Sequence, residues 1–266
     1  MKIKIIMTSF LIYSMAFPVE AANVNGSAGS NAQVESRYLI DMPTAGILHN
    51  GMIGMSVHFY EESGVLMSLE AGAFNRLTFG LSYGGTNIIG TGQVQWNRFP
   101  GVNIRFRLLD ETVGFPAVTL GFDSQGKDAY ISEYDRYLYK SPGFFAVGSK
   151  YFNILGYLGF HGGINYSLEN KDGNKNINFF VGADKTIGSD ISIMAEYNFG
   201  FNDNYGNYLL TGNPAVLAQS GPSYINAGAR WSVGNGFTVE FDYKNLLDLK
   251  KTGSIRMIRI EYVQSL

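Results

Sequence analysis

Residues 191–199 read Ile-Ser-Ile-Met-Ala-Glu-Tyr-Asn-Phe, and the fold class follows from their alternation. Successive side chains of an extended strand point to opposite faces, so Ile191, Ile193, Ala195, Tyr197 and Phe199 share one apolar face while Ser192, Glu196 and Asn198 share the other. The same period of two returns in Ile53-x-Met55-x-Val57-x-Phe59, Leu77-x-Phe79-x-Leu81-x-Tyr83 and Val102-x-Ile104-x-Phe106-x-Leu108. Leu158 to Tyr166 and Ile225 to Val233 repeat it.

Extending the pattern predicts about twelve strands, at 52–60, 64–71, 76–84, 101–109, 115–123, 143–152, 156–168, 176–187, 190–201, 222–234, 236–246 and 253–264. Most approach the roughly 9–11 residues with which a tilted strand crosses a bilayer, against roughly 5–6 for ordinary soluble strands. The connections sort by side. Gly72–Asn75, Asp110–Gly114, Asn153–Leu155, Gly188-Ser189 and Asn235 are short, and the alternate set holds Gly84–Pro100, Ser124–Pro142 and Asn202–Gly221. Short turns on one rim and longer loops on the other define an all-β, transmembrane, antiparallel up-and-down β-barrel. An even strand count puts both termini at the short-turn, periplasmic rim. Aromatics at strand ends, such as Phe59, Tyr83, Phe152, Tyr243 and Tyr262, suit an interfacial girdle. Tyr130–Lys140 fits a loop helix or a hairpin extension equally well.

Composition agrees. Of 266 residues 16% are charged, below the roughly 25% of soluble domains, while 33 Gly, 17 Tyr and 19 Phe favour a β-rich body. The absence of Cys excludes disulfides, thiol redox chemistry and Cys-zinc clusters. A net charge of −2 shows no nucleic-acid footprint. Lys2 and Lys4, the apolar run Ile5–Phe17 and the small residues up to Ala21 predict a signal peptide over 1–21. Residues 22–50, rich in Asn, Gly, Ser and Ala near their start, are expected to form a flexible periplasmic segment, and 51–266 the outer-membrane barrel.

With the apolar face on lipid, the other face fills the lumen. The expected lumen-facing bases include Arg105, Arg107, Lys150, Arg230 and Arg259; the acids include Asp123, Asp184, Glu196, Glu240, Asp242 and Glu261. His161, Asn165, Asn198 and Asn226 add neutral polar groups, and Glu70 and Lys244 complete the set. Near-balanced signs point to paired charges in a narrow, mostly filled barrel; a polar conduit is the other reading. Three histidines, His49, His58 and His161, lack the company a metal site needs, so no metal or cofactor is expected. Ser56 and His58 share a face, but an orienting acid and an oxyanion donor are missing, which argues against an enzyme.

Two stretches carry a resemblance. Tyr38–Gly51, YLIDMPTAGILHNG, resembles the Met-Pro-Thr-Ala…Gly opening of the YjbH-like outer-membrane proteins associated with exopolysaccharide production. Arg105–Gly126, RFRLLDETVGFPAVTLGFDSQG, followed by Ser132-Glu133-Tyr134 and Ala146–Lys150, is similar to a central segment of that family. The likeness spans roughly residues 38–152. The family's members are longer, with a second barrel-like half, and some are lipoproteins, which a chain without Cys cannot be. The resemblance implies a non-enzymatic barrel assisting exopolysaccharide secretion or assembly; the alternative is a passive small-solute pore, and an outer-membrane hydrolase ranks below both. Expected partners are outer-membrane lipid, the barrel-assembly machinery, and polysaccharide or envelope secretion proteins, with no nucleic acid.

Overall fold

The computed structural model describes residues 24–204, 212–213, 223–248 and 255–266. The predicted signal peptide lies outside them. In chain order the strands are β1 (Met52–Tyr60), β2 (Gly64–Ala73), β3 (Leu77–Thr86), β4 (Gln95–Trp96), β5 (Gly101–Leu109), β6 (Ala117–Asp123), β7 (Lys127–Ile131) and β8 (Arg136–Tyr139). There follow β9 (Gly143–Asn153), β10 (Tyr157–Tyr166), β11 (Asn178–Ile187), β12 (Ile191–Asn198), β13 (Tyr224–Gly234), β14 (Phe237–Lys244) and β15 (Ile255–Ser265). The helical structure among the described residues is a 3₁₀ turn at Leu246–Asp248.

Every strand pair is antiparallel, and the sheet closes on itself. β1 pairs with β15 from Met52↔Ser265 to Phe59↔Ile258, and β2 pairs with β3 on the other side, so no edge remains. Leaving aside β4, β7 and β8, which belong to the long loops, twelve strands form the ring. Bulges between Arg107 and Leu109 and between Ser232 and Gly234 fall where β5 and β13 approach their short turns. The tightest turn, Asn235-Gly236, takes φ of 52° and 80°, the left-handed pair a two-residue hairpin needs.

The alternation is inside-out relative to a soluble protein. On β5, Val102, Ile104, Phe106 and Leu108 are exposed while Asn103, Arg105 and Arg107 are buried. β12 repeats this with Ile191 and Ile193 outside and Ser192 and Glu196 inside. An apolar outer belt around a closed ring, with all ladder groups paired, is the arrangement a bilayer demands of strands. No helix among the described residues is long and apolar enough to cross a membrane.

One open choice is decided and one expectation changes. Tyr130–Lys140 resolves as the hairpin β7–β8, folded over the long-loop end. Residues 24–50 are ordered inside the barrel rather than flexible: Ala28, Leu39, Ile40, Ala45, Ile47 and Leu48 are all at most 1% exposed. Composition judged this segment by what it can bury by itself, whereas the barrel wall supplies its partners.

Candidate functional site: a plugged lumen

The segment enters beside the short turns, where Ser27 N–H and Ala28 N–H donate to Thr238 Oγ1 (3.0 Å) and Ser232 Oγ (2.9 Å). Gly29 N–H donates to Ser192 Oγ at 3.0 Å, and Ser30 N–H to the Gly188 carbonyl at 3.1 Å. It rises to an apex at Leu39–Met42, folded back through a bridge between Tyr38 and Pro43. It then descends to Leu48, whose N–H meets Thr78 Oγ1 at 2.8 Å, and to Asn50 beside Asn75 in the β2–β3 turn.

This plug has no strand ladder to satisfy its backbone, and buried peptide groups without partners are costly. Lumen side chains take that role. Glu196 accepts the N–H groups of Ile40 (3.0 Å), Asp41 (3.0 Å) and Met42 (3.1 Å) at the apex, with Asn226 Nδ2 also donating to it at 2.8 Å. Arg105 donates to the Arg37 carbonyl at 2.6 Å and to the Thr44 carbonyl; Arg107 and Thr119 donate to the Ala45 carbonyl at 2.8 and 2.6 Å. Arg230 holds the Tyr38 and Leu39 carbonyls, and Arg259 holds that of Ile40 at 2.7 Å. Small residues are required at close approaches: a Cβ on Gly46 would lie 2.1 Å from the Ser36 carbonyl oxygen.

Ion pairs fix the remainder. Arg37 lies between Glu70 (2.6 Å) and Glu261, Arg107 pairs with Glu35, and Lys244 reaches Asp41 at 2.7 Å. The Tyr38 hydroxyl donates to Asp123 at 2.6 Å while the Arg105 guanidinium covers its ring at 4.2 Å. Glu240 accepts from both Arg230 and Arg259, and Asp242 beside it is buried with no hydrogen-bond partner among the described residues.

Arg105, Arg107, Asp123, His161, Asp184, Glu196, Arg230, Glu240, Asp242, Arg259 and Glu261 thus sit on the lumen face. Lys150 does not. On β9 it shares the outer face with Phe144 and Ala146, lies over the Phe152 ring, and bends to Glu111 (3.0 Å) and the Thr112 carbonyl at the short-turn rim. A long cationic stem on the apolar face near a strand end reaches out toward water. Sequence reading also missed the plug's own Glu35, Arg37, Tyr38 and Asp41; the visible signal was the resemblance that begins at Tyr38.

His161 gains two unforeseen partners. Its Nδ1 meets Ser149 Oγ at 2.7 Å and its Nε2 meets Asp184 Oδ1 at 2.6 Å. The Ser–His–Asp order suggests nucleophilic catalysis, but Ser149 Oγ already accepts the Ala45 N–H at 2.9 Å. The nearby guanidinium of Arg107 is held through Nε and Nη2 by Glu35, Thr119 and the Ala45 carbonyl. The Ser149–His161–Asp184 chain of hydrogen bonds is thereby latched to the plug at Ala45. Ser56 and His58, 3.3 Å apart, find no orienting acid within hydrogen-bond reach among the described residues.

A second closure covers the long-loop end. Arg136 of β8 pairs with Asp172 (2.7 Å) and Asp203 (2.6 Å), and Lys140 joins Asp172 at 2.8 Å. Glu169 accepts the N–H groups of Tyr137 (2.9 Å) and Ser141 (3.1 Å); burial pushes its carboxyl up to about 7 despite those bonds. Beside the plug, two internal spaces measure ≈ 40 and ≈ 20 Å³, and a third of ≈ 10 Å³ lies between the wall and residues 125–128, enough for isolated waters. A larger cavity of ≈ 340 Å³ lies at the short-turn end.

These features define the class: a twelve-stranded, membrane-spanning antiparallel β-barrel with an internal plug. No protein-family model matches the chain, and no curated protein matches it. Among solved structures it is similar to the KdgM porin, at 10% identity over 81% of this chain and 98% of that one, with a TM-score of 0.46. The NanC porin aligns at 11% identity, 80% and 99% coverage and a TM-score of 0.43. Outer membrane protein Omp33 of Acinetobacter baumannii aligns at 8% identity, 81% and 97% coverage and a TM-score of 0.43. The fold assignment stands on the strand pairing itself.

Proposed function

We propose that this chain is a small-solute channel of a bacterial outer membrane, closed in its resting state by residues 24–50, with the short-turn rim on the periplasmic side. The supporting observation is the character of the wall beneath the plug. Polar side chains run along its height, from Thr78 and Ser232 near the short turns through Arg105 and Glu196 to Lys244, and hold the plug through hydrogen bonds that water can replace, between smaller apolar patches (Phe145, Val147 and Phe180; Met194 and Met257) that pack on Met42, Ala45, Leu39 and Ile40. An apolar wall would instead mark a permanently filled core. The test is conductance in planar bilayers, comparing the full chain with a variant lacking residues 24–48. The full chain should be silent at low voltage and the variant should give stable steps. A variant that shifts mobility on boiling, as a folded barrel does, yet conducts nothing overturns the channel reading.

One observation favours a second reading, assistance to exopolysaccharide secretion. The two stretches that resemble YjbH-like proteins, distant in sequence, meet in the lumen: Arg105 and Thr119 of one hold the Thr44 and Ala45 carbonyls of the other. On this reading the plug-and-wall lock serves export, with envelope secretion proteins as partners. Deleting the gene should then lower cell-surface polysaccharide, and unchanged amount and composition would count against it.

A further inference from the structure

We propose that the ≈ 340 Å³ cavity at the short-turn end of the lumen is a binding site for a small organic amine, recognised through its ammonium group. The proposal goes beyond the channel reading and holds whether or not the plug ever leaves. The cavity lies between Glu35 and Gly46 of the plug and the lumen face of β9–β12, within the roughly 300–1,000 Å³ of small-molecule sites.

Its hydrogen-bond inventory selects the ligand. Most guanidinium donors are engaged: Arg107 Nε and Nη2 by Glu35, Thr119 and the Ala45 carbonyl, with Nη1 3.8 Å from Asp110, and Arg230 by Glu240, Ser36 and the Tyr38 and Leu39 carbonyls. Each of three carboxylates, by contrast, has one oxygen occupied and one without a partner among the described residues. Glu35 uses Oε2 for Arg107 and the Ile47 N–H, Glu111 uses Oε1 for Lys150 and the Tyr151 N–H, and Asp184 uses Oδ1 for His161. A wall with free acceptors calls for a ligand that only donates, and an ammonium has three donors and no acceptor.

Charge narrows the choice further. Glu35 and Glu111 have Arg107 and Lys150 as partners, whereas Asp184 meets neither arginine nor lysine among the described residues, its partner being the His161 ring. The Tyr151 and Tyr157 rings line the same space and offer π-faces to a cation. Gly159 makes this approach possible: a Cβ there would lie 2.4 Å from Asp184 Oδ1 and 2.6 Å from Tyr151 Cε1. A carboxylate ligand would face three carboxylates, and a neutral sugar would leave their charge unmatched.

The test titrates the full chain, folded in a non-ionic maltoside detergent, with ethanolamine, acetate and glucose, read by tyrosine fluorescence and calorimetry. Ethanolamine should bind saturably with a dissociation constant of about 1 mM or tighter, and acetate and glucose should not bind. Asp184→Asn should weaken ethanolamine at least about tenfold, the loss of one charge-assisted contact. Tyr157→Leu, at a half-exposed position, should weaken it about two- to fivefold and guards against a folding defect in the first variant. Absence of saturation with ethanolamine, equal binding of glucose, or undiminished affinity in both folded variants overturns the proposal. Nanodiscs separate the sources of the amine. Competition seen only with phosphatidylethanolamine bilayers, and not phosphatidylglycerol ones, assigns a lipid headgroup, and equal binding in both assigns a soluble amine.

Discussion

Within the lumen the barrel is closed by wall side chains that grip the plug's backbone, and over the long-loop end mainly by side chains that grip side chains. Glu196, Arg105, Arg230 and Arg259 hold peptide groups of residues 37–44, and almost any residues small enough to fit present the same peptide groups. The β7–β8 cap depends instead on particular residues, Arg136 with Asp172 and Asp203 and Lys140 with Asp172. Outside its ion-paired Glu35, Arg37 and Asp41 and the bonded Tyr38, the plug should therefore tolerate changes in itself better than changes in its socket. The cap should do the opposite, because its own loop residues carry its contacts.

The largest effect should come from the socket. Glu196→Leu leaves three buried plug N–H groups without an acceptor, at about 1–3 kcal/mol each, so hydrogen exchange of residues 38–44 should accelerate by at least about a hundredfold. Protection as strong as in the unmodified chain would break the comparison. Next comes Arg136→Met, which strips a partner from the buried Asp172 and Asp203. It should cost the cap about 3–5 kcal/mol of local stability while leaving exchange in the plug unchanged.

Smaller is the pH response of Glu169. Its carboxyl is lifted from 4.5 to about 7 in the folded cap, so the folded state binds this proton more tightly than the unfolded state. That contribution is fully present below pH 4.5 and is lost as pH rises through about 7. Cap exchange should quicken across this window, and Glu169→Gln should flatten the curve; an unchanged curve removes Glu169 as its origin. The smallest expected change is in the plug itself. Ser36→Ala removes a hydroxyl that bonds the Tyr38 carbonyl and Arg230, and should cost about 1 kcal/mol by the same exchange measurement. A cost matching that of Glu196→Leu would show that the plug is held by its side chains after all.

Alternation made the wall legible. The expected span 101–109 coincides with β5, 52–60 with β1, and the loop parity survives intact. The same rule places the expected polar residues in the lumen except Lys150, because a face count carries no information about where lipid ends and water begins. The plug escaped for a different reason. Its backbone is neither helical nor paired in a ladder, so no period marks it, and its Gly, Ala and Ser residues look like those of a linker. Those residues are small because the lumen is narrow, a constraint visible only once the wall is built around them. The Ser149–His161–Asp184 latch joins three strands and was beyond any local pattern.

The plug precedes β1, yet its socket extends to β15, so Ile40 meets Arg259 across 219 positions of chain. Contacts of that separation form only after the intervening loop entropy has been overcome. The stopper is synthesised first and its seat is completed last, when β15 docks against β1. The bonds from Arg259 and Glu261 therefore come to the stopper only with the strand that shuts the ring, so its last fastenings and the final seam are made together.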